Sequence, residues 1–64
     1  MIALHRAGGR ELYVNPDLIE TVEADDDGRT TVVLTTGNAF VVEEDPERIA
    51  TLVVEFRQRI GLRS

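Results

Sequence analysis

Residues 15–24, NPDLIETVEA, contain the spacing on which the fold turns. Leu18 and Ile19 are adjacent, and Val22 follows Ile19 by three positions. Side chains alternate faces along a strand, so a regular strand would set Ile19 and Val22 on opposite sides. Asn15-Pro16-Asp17 is a turn former, because Pro16 fixes φ and removes a backbone donor. The reading that reconciles these features is one helical turn at Pro16-Asp17-Leu18, dropping Leu18, with or without Ile19, into the core as a plug. Extended chain then resumes, with Glu20, Val22 and Ala24 on one side and Thr21 and Glu23 on the other.

Upstream, Ile2-Ala3-Leu4-His5 alternates with Ile2 and Leu4 on one face, and Gly8-Gly9 supplies positive-φ positions for a hairpin. The return strand Glu11 to Val14 sets Leu12 and Val14 inward. Downstream, Asp27-Gly28 predicts a type I′ reversal. Thr30 to Thr35 is β-branched except at Leu34, which favours a strand with Val32 and Leu34 on its packed face. Thr36-Gly37-Asn38 turns the chain into Ala39-Phe40-Val41-Val42. Val33, Val41 and Tyr13 suggest that the second face is also partly covered.

Asp45-Pro46-Glu47 then starts a helix, with Asp45 as cap and Pro46 at the first helical position. Ile49, Leu52, Val53, Phe56 and Ile60 form its apolar stripe, and Gly61 is expected to end it. The predicted fold is α+β: an antiparallel meander of about five short strands with one C-terminal α-helix packed on the sheet. It forms a single domain over 1–64, β-rich over 1–43 and helical over 46–60.

A chain of 64 residues buries only about 60% of the surface its unfolded form exposes. With no cysteine there is no disulfide to staple it. Ordering costs roughly 1.5 kcal/mol per residue, which nearly cancels the burial gain. Self-association into a homo-oligomer, or docking on a larger partner, is therefore expected. No secretory leader and no apolar run of about 20 residues is present, so a cytoplasmic chain without membrane insertion is expected.

The net charge is −5, unevenly spread. From Asp17 to Glu47 ten acids face one base, Arg29, whereas from Arg48 onward four arginines face Glu55 alone. The acidic middle would repel a phosphate backbone.

Catalytic equipment is sparse: no Cys, no Lys, one His, and one Ser at the last position. No nucleophile and base can be paired from that inventory, so no enzyme activity and no cofactor is expected. His5 reads as a surface histidine, with a pH-sensitive contact as the alternative. Asp25-Asp26-Asp27-Gly28 lacks calcium-loop spacing, since the twelfth position from Asp25 is Thr36 rather than Glu, and reads as a solvated hairpin tip. Gly8-Gly9 precedes a strand, so it is a turn rather than a phosphate loop. Phe40 and Phe56 read as core, which leaves no stacking platform for nucleic acid.

The runs Leu4 to Gly9, Val14 to Ala24 and Thr35 to Glu43, followed by a C-terminal helix, resemble the FlbD family, also called SwrD, of small bacterial flagellar and swarming-motility proteins. The most specific part is Asn15 with Asp17-Leu18-Ile19-Glu20. The Asp25–Gly28 tip departs from the family's pattern in being longer. The resemblance implies a non-enzymatic role supporting motility, including motor or stator function, with a flagellar motor or other motility protein as partner. Asn15, Asp17 and Glu20 are the candidate partner-contact residues, because this turn gathers polar groups beside Leu18 and Ile19. Turn geometry is the competing role for Asn15 and Asp17, whose side chains can bond nearby amides. A LytTR-like nucleic-acid-binding module is the alternative, since its β-rich part has a similar order of glycine turns. It requires Arg57, Arg59 and Arg63 to gather on one face against the overall charge.

Overall fold

The computed structural model describes residues 1–61. Five antiparallel strands precede one helix: β1 (Ile2–His5), β2 (Glu11–Val14), β3 (Ile19–Ala24), β4 (Thr30–Leu34), β5 (Ala39–Val42) and α1 (Pro46–Gly61). A 3₁₀ turn, Pro16–Leu18, separates β2 from β3. The α+β meander is as expected, but it is divided into a β1-β2 hairpin and a three-stranded β3-β4-β5 sheet. Pro16 breaks the ladder between them, since it cannot donate to a neighbouring strand.

All three hairpins close with the same pair of backbone hydrogen bonds. Arg6, Asp25 and Leu34 each donate from N–H to the carbonyl four residues on, and each accepts at its own carbonyl from a glycine three residues on, namely Gly9, Gly28 and Gly37. Gly28 has φ +86 and Gly37 φ +94, while among the described residues none other than glycine has positive φ. The Asp25 and Leu34 turns are type I turns finished by a left-handed glycine, the three-residue hairpin loop, whereas at Arg6 the third residue, Gly8, also has positive φ, at +114, as a type II turn requires. The expected type I′ turn at Asp27-Gly28 is thereby corrected, because it needs positive φ at Asp27 as well. The Asp25–Gly28 tip is the same device as the turn between β4 and β5.

A β-bulge resolves the spacing in residues 15–24. Ile19 pairs with Leu34 but Thr21 with Val33, so two residues of β3 oppose one step of β4. The extra residue flips the alternation, and Ile19 and Val22, three apart, both pack against the core. The plug is therefore Ile19 and not Leu18. Leu18 is 38% exposed, whereas Pro16 is buried in its place. The Leu18 carbonyl accepts from Thr35 N–H at 2.7 Å, tying the turn to the end of β4.

The two sheets meet where β1 runs on past its hairpin partner. Arg6 bridges Val42, Ala7 N–H donates to Val41 O at 3.3 Å, and Glu43 N–H donates to His5 O at 2.8 Å. Between the sheets lie Ile2, Leu4 and Val14 from one, Val32 and Val42 from the other, and Ile49 from α1. Each such side chain contributes roughly 1.5–3 kcal/mol by burial, so a core this small leaves little margin.

Helix α1 begins as expected. Asp45 Oδ1 accepts from Arg48 N–H at 2.7 Å, and the Asp45 carbonyl accepts from Ile49 N–H at 3.1 Å. Ile49 is buried, and Leu52, Val53 and Phe56 are partly buried against the core. Ile60 continues the stripe beyond the sheet and stays 51% exposed. The helix takes in Gly61 rather than stopping before it; Arg63 lies outside the described residues. On the outer faces Val33 and Val41 are half-buried, but Tyr13 is exposed and hydrogen-bonds Glu11 at 3.1 Å.

Candidate functional site

The three contact candidates lie along the corner between β2 and β3. Asn15 is half-buried, and its side chain does local work: Oδ1 accepts from Asp17 N–H at 3.0 Å and caps the 3₁₀ turn. Its carbonyl accepts from Leu18 N–H at 3.0 Å. The turn role weighed for Asn15 is thus present. Asp17 is different, because its carboxylate points away from the turn. Arg57 Nη2 of α1 lies 3.2 Å from Asp17 Oδ1, with both side chains more than half exposed. Glu20 sits at the bulge, and among the described residues its carboxylate has no hydrogen bond or ion pair. The corner therefore groups Asn15 and Asp17 with Arg57, and presents Glu20 separately beside the exposed Leu18.

A second constellation was not foreseen. Glu44, in the loop before α1, reaches back to β1: its Oε1 accepts from the His5 backbone N–H at 2.9 Å, and its Oε2 lies 2.6 Å from His5 Nδ1. Glu11 of β2 stands 3.9 Å from His5 Nε2. The hydrogen bond to Glu44 lifts the His5 pKa above its ordinary value; desolvation opposes the lift, and the charges of Glu44, Glu11 and Glu43 add to it. For Glu44, burial pushes the carboxyl upward, but the bonds from the His5 side chain and backbone outweigh it and hold the group below its ordinary value. Of the two readings for His5, the geometry supplies the pH-sensitive contact. The only signal in the sequence was the Glu43-Glu44-Asp45 cluster, which is explained equally well as the acidic start of a helix. Nothing local links it to a histidine 39 residues away.

Chemically, the His5–Glu44 pair can hold the β1–β5 junction and respond to protons. Among the described residues no group of three or more His, Cys, Asp or Glu is placed to hold a metal ion. A depression lined by Glu47, Ala50, Thr51, Val54 and Glu55 is formed by α1 alone. Two smaller grooves flank Phe56. Arg57 and Arg59 border different grooves, and Arg57 is paired with Asp17. Among them no helix is long and apolar enough to cross a membrane.

A family model described as flagellar and swarming motility proteins matches residues 1–61. No curated protein and no solved structure matches the chain.

Proposed function

This chain belongs to the FlbD family of flagellar and swarming motility proteins, and we propose that it serves motility as a non-enzymatic, cytoplasmic protein-interaction module supporting the motor or its stator. The observation that carries the reading is the corner at Asn15–Glu20. Asp17, Leu18 and Glu20 are exposed there on a backbone that the Asn15 cap, the Thr35 bond and the bulge hold in one shape. A rigid, exposed corner with an apolar residue between two acids is suited to docking, because little conformational freedom is lost on binding.

Partner contact would run through Asp17 and Glu20, with Asn15 shaping the turn. The thin core also favours self-association, which adds the apolar burial that a single copy lacks. Asp17→Ala and Glu20→Ala, separately and together, in motile cells test the contact. Reduced swarming at unchanged protein level and unchanged melting temperature supports it, and wild-type swarming removes it. Sedimentation equilibrium of the purified chain tests self-association.

A further inference from the structure

Strand β3 is an open edge. Among the described residues β4 is its only strand neighbour, and outside that ladder no backbone–backbone hydrogen bond among them reaches 20–24. The hairpin fixes which groups are left over. Asp25 N–H donates to Arg29 O and Gly28 N–H to Asp25 O, so Asp25 and Arg29 form a bonded pair, and bonded and unbonded pairs alternate from there. Thr21 and Glu23 therefore bond to β4, whereas Val22 and Ala24, opposite Val32 and Thr30, direct their N–H and C=O outward. The bulge lies before Thr21, so this stretch of edge is regular. Such a row of unpaired groups is a template for a further strand. Glu20, Thr21, Glu23 and Ala24 are exposed and Val22 is half-buried, which leaves the edge accessible.

We propose that β3 receives, as an added strand, an extended segment of another protein in which basic and apolar side chains alternate. Backbone bonds to Val22 and Ala24 supply the pairing, and the side chains on the two faces select the segment. Val22 and Ala24 share one face, where apolar residues of the incoming strand stand beside them, and the small Ala24 leaves room for a larger neighbour. Thr21 and Glu23 share the other, with Glu20 exposed beside them. Residues 20–27 hold five acids and no base, and the adjacent Arg29 already lies 4.0 Å from Asp27. Opposite charges in cross-strand positions attract and like charges repel. A second copy is disfavoured for that reason, because pairing β3 with β3 sets these acids against their own duplicates. The inference rests on the proposed role as an interaction module and names the chemistry of the partner segment.

The test uses the full chain and a fluorescein-labelled peptide of alternating Arg and Val. Its controls are a Glu-for-Arg counterpart and a peptide of the same composition with Arg and Val in separate blocks. Fluorescence anisotropy reads binding, and amide hydrogen exchange reads where it occurs. The alternating peptide binds, and the Val22 and Ala24 amides, fast in the chain alone, become protected, while those of Thr21 and Glu23 are slow throughout. Glu23→Lys and Ala24→Pro each weaken binding roughly three- to tenfold. Ala24→Pro removes only an outward donor, which an edge strand tolerates, and melting temperatures confirm that both variants fold. No binding, equal binding of either control peptide, unchanged exchange at Val22 and Ala24, or unchanged affinity in both variants would overturn the proposal. So would self-association of the chain alone that protects those two amides. Asp17→Ala leaves the β3 edge as it is, so lost swarming in that variant without peptide binding keeps the corner contact and removes this inference. Peptide binding with wild-type swarming in that variant does the reverse.

Discussion

Glu44 grips His5 twice, once through the backbone N–H at 2.9 Å and once through the imidazole Nδ1 at 2.6 Å. The contact sits beside the Arg6–Val42 bridge that joins the two sheets, so it adds a side-chain tie to the backbone bonds of that seam. Its dependence on pH follows from the two shifts. His5 is held above its ordinary 6.5, so its contribution is whole below pH 6.5 and is lost as pH rises through the raised value. Glu44 is held below its ordinary 4.5, so its contribution is whole above pH 4.5 and is lost as pH falls through the depressed value. The stability gap between wild type and Glu44→Gln is therefore widest between those two values and narrows in alkali. Urea midpoints at one pH inside the window and one well above it measure this; a gap independent of pH contradicts it.

Asp45 caps α1 through the bond from Arg48 N–H. Asp45→Ala should cost about 1 kcal/mol, and Asp45→Ser should restore most of that loss. Chemical denaturation reads both, and α1 should lose protection of its first-turn amides in hydrogen exchange.

Gly37 closes the β4–β5 hairpin at φ +94, with nothing within 4 Å of where a Cβ would stand. The cost of Gly37→Ala is thus conformational rather than steric, roughly 1–2 kcal/mol. Gly37→Asn should cost less, because asparagine tolerates the left-handed region. Equal losses for Ala and Asn would contradict the assignment.

The bulge predicts opposite outcomes for adjacent leucine and isoleucine. Leu18→Ser, at an exposed position, should stay within about 0.5 kcal/mol of wild type. Ile19→Ala removes a side chain packed on the core and should cost about 2 kcal/mol or more. Thermal melts of the two variants test the pair, and a reversed order would mean that Leu18 is the plug after all.

The features legible in advance were those governed by neighbours in the chain. The strands, the glycine reversals, the Asp45-Pro46 helix start and the Ile49 stripe all follow from local spacing. The break at Pro16 was also visible, but its consequence, two sheets instead of one, depends on how β1 meets β5 across the molecule. The bulge was written in the three-residue gap from Ile19 to Val22. A one-turn plug explained the same gap, and only pairing with β4 separates the two accounts. At the corner, Asn15's cap is a local habit of asparagine. The reach of Arg57 to Asp17 and of Glu44 to His5 joins segments about 40 residues apart, which no spacing rule connects.

Contact between a partner and the Asp17–Glu20 corner can be probed by a charge swap. Asp17→Arg with Arg57→Asp restores the ion pair across the corner but inverts the charge each residue presents outward. Swarm-expansion rate is the measurement, with protein level and melting temperature held as controls. A stably folded protein that fails to support swarming is expected; full swarming by the swapped protein would show that Asp17 only braces the turn and would rule out partner contact through it.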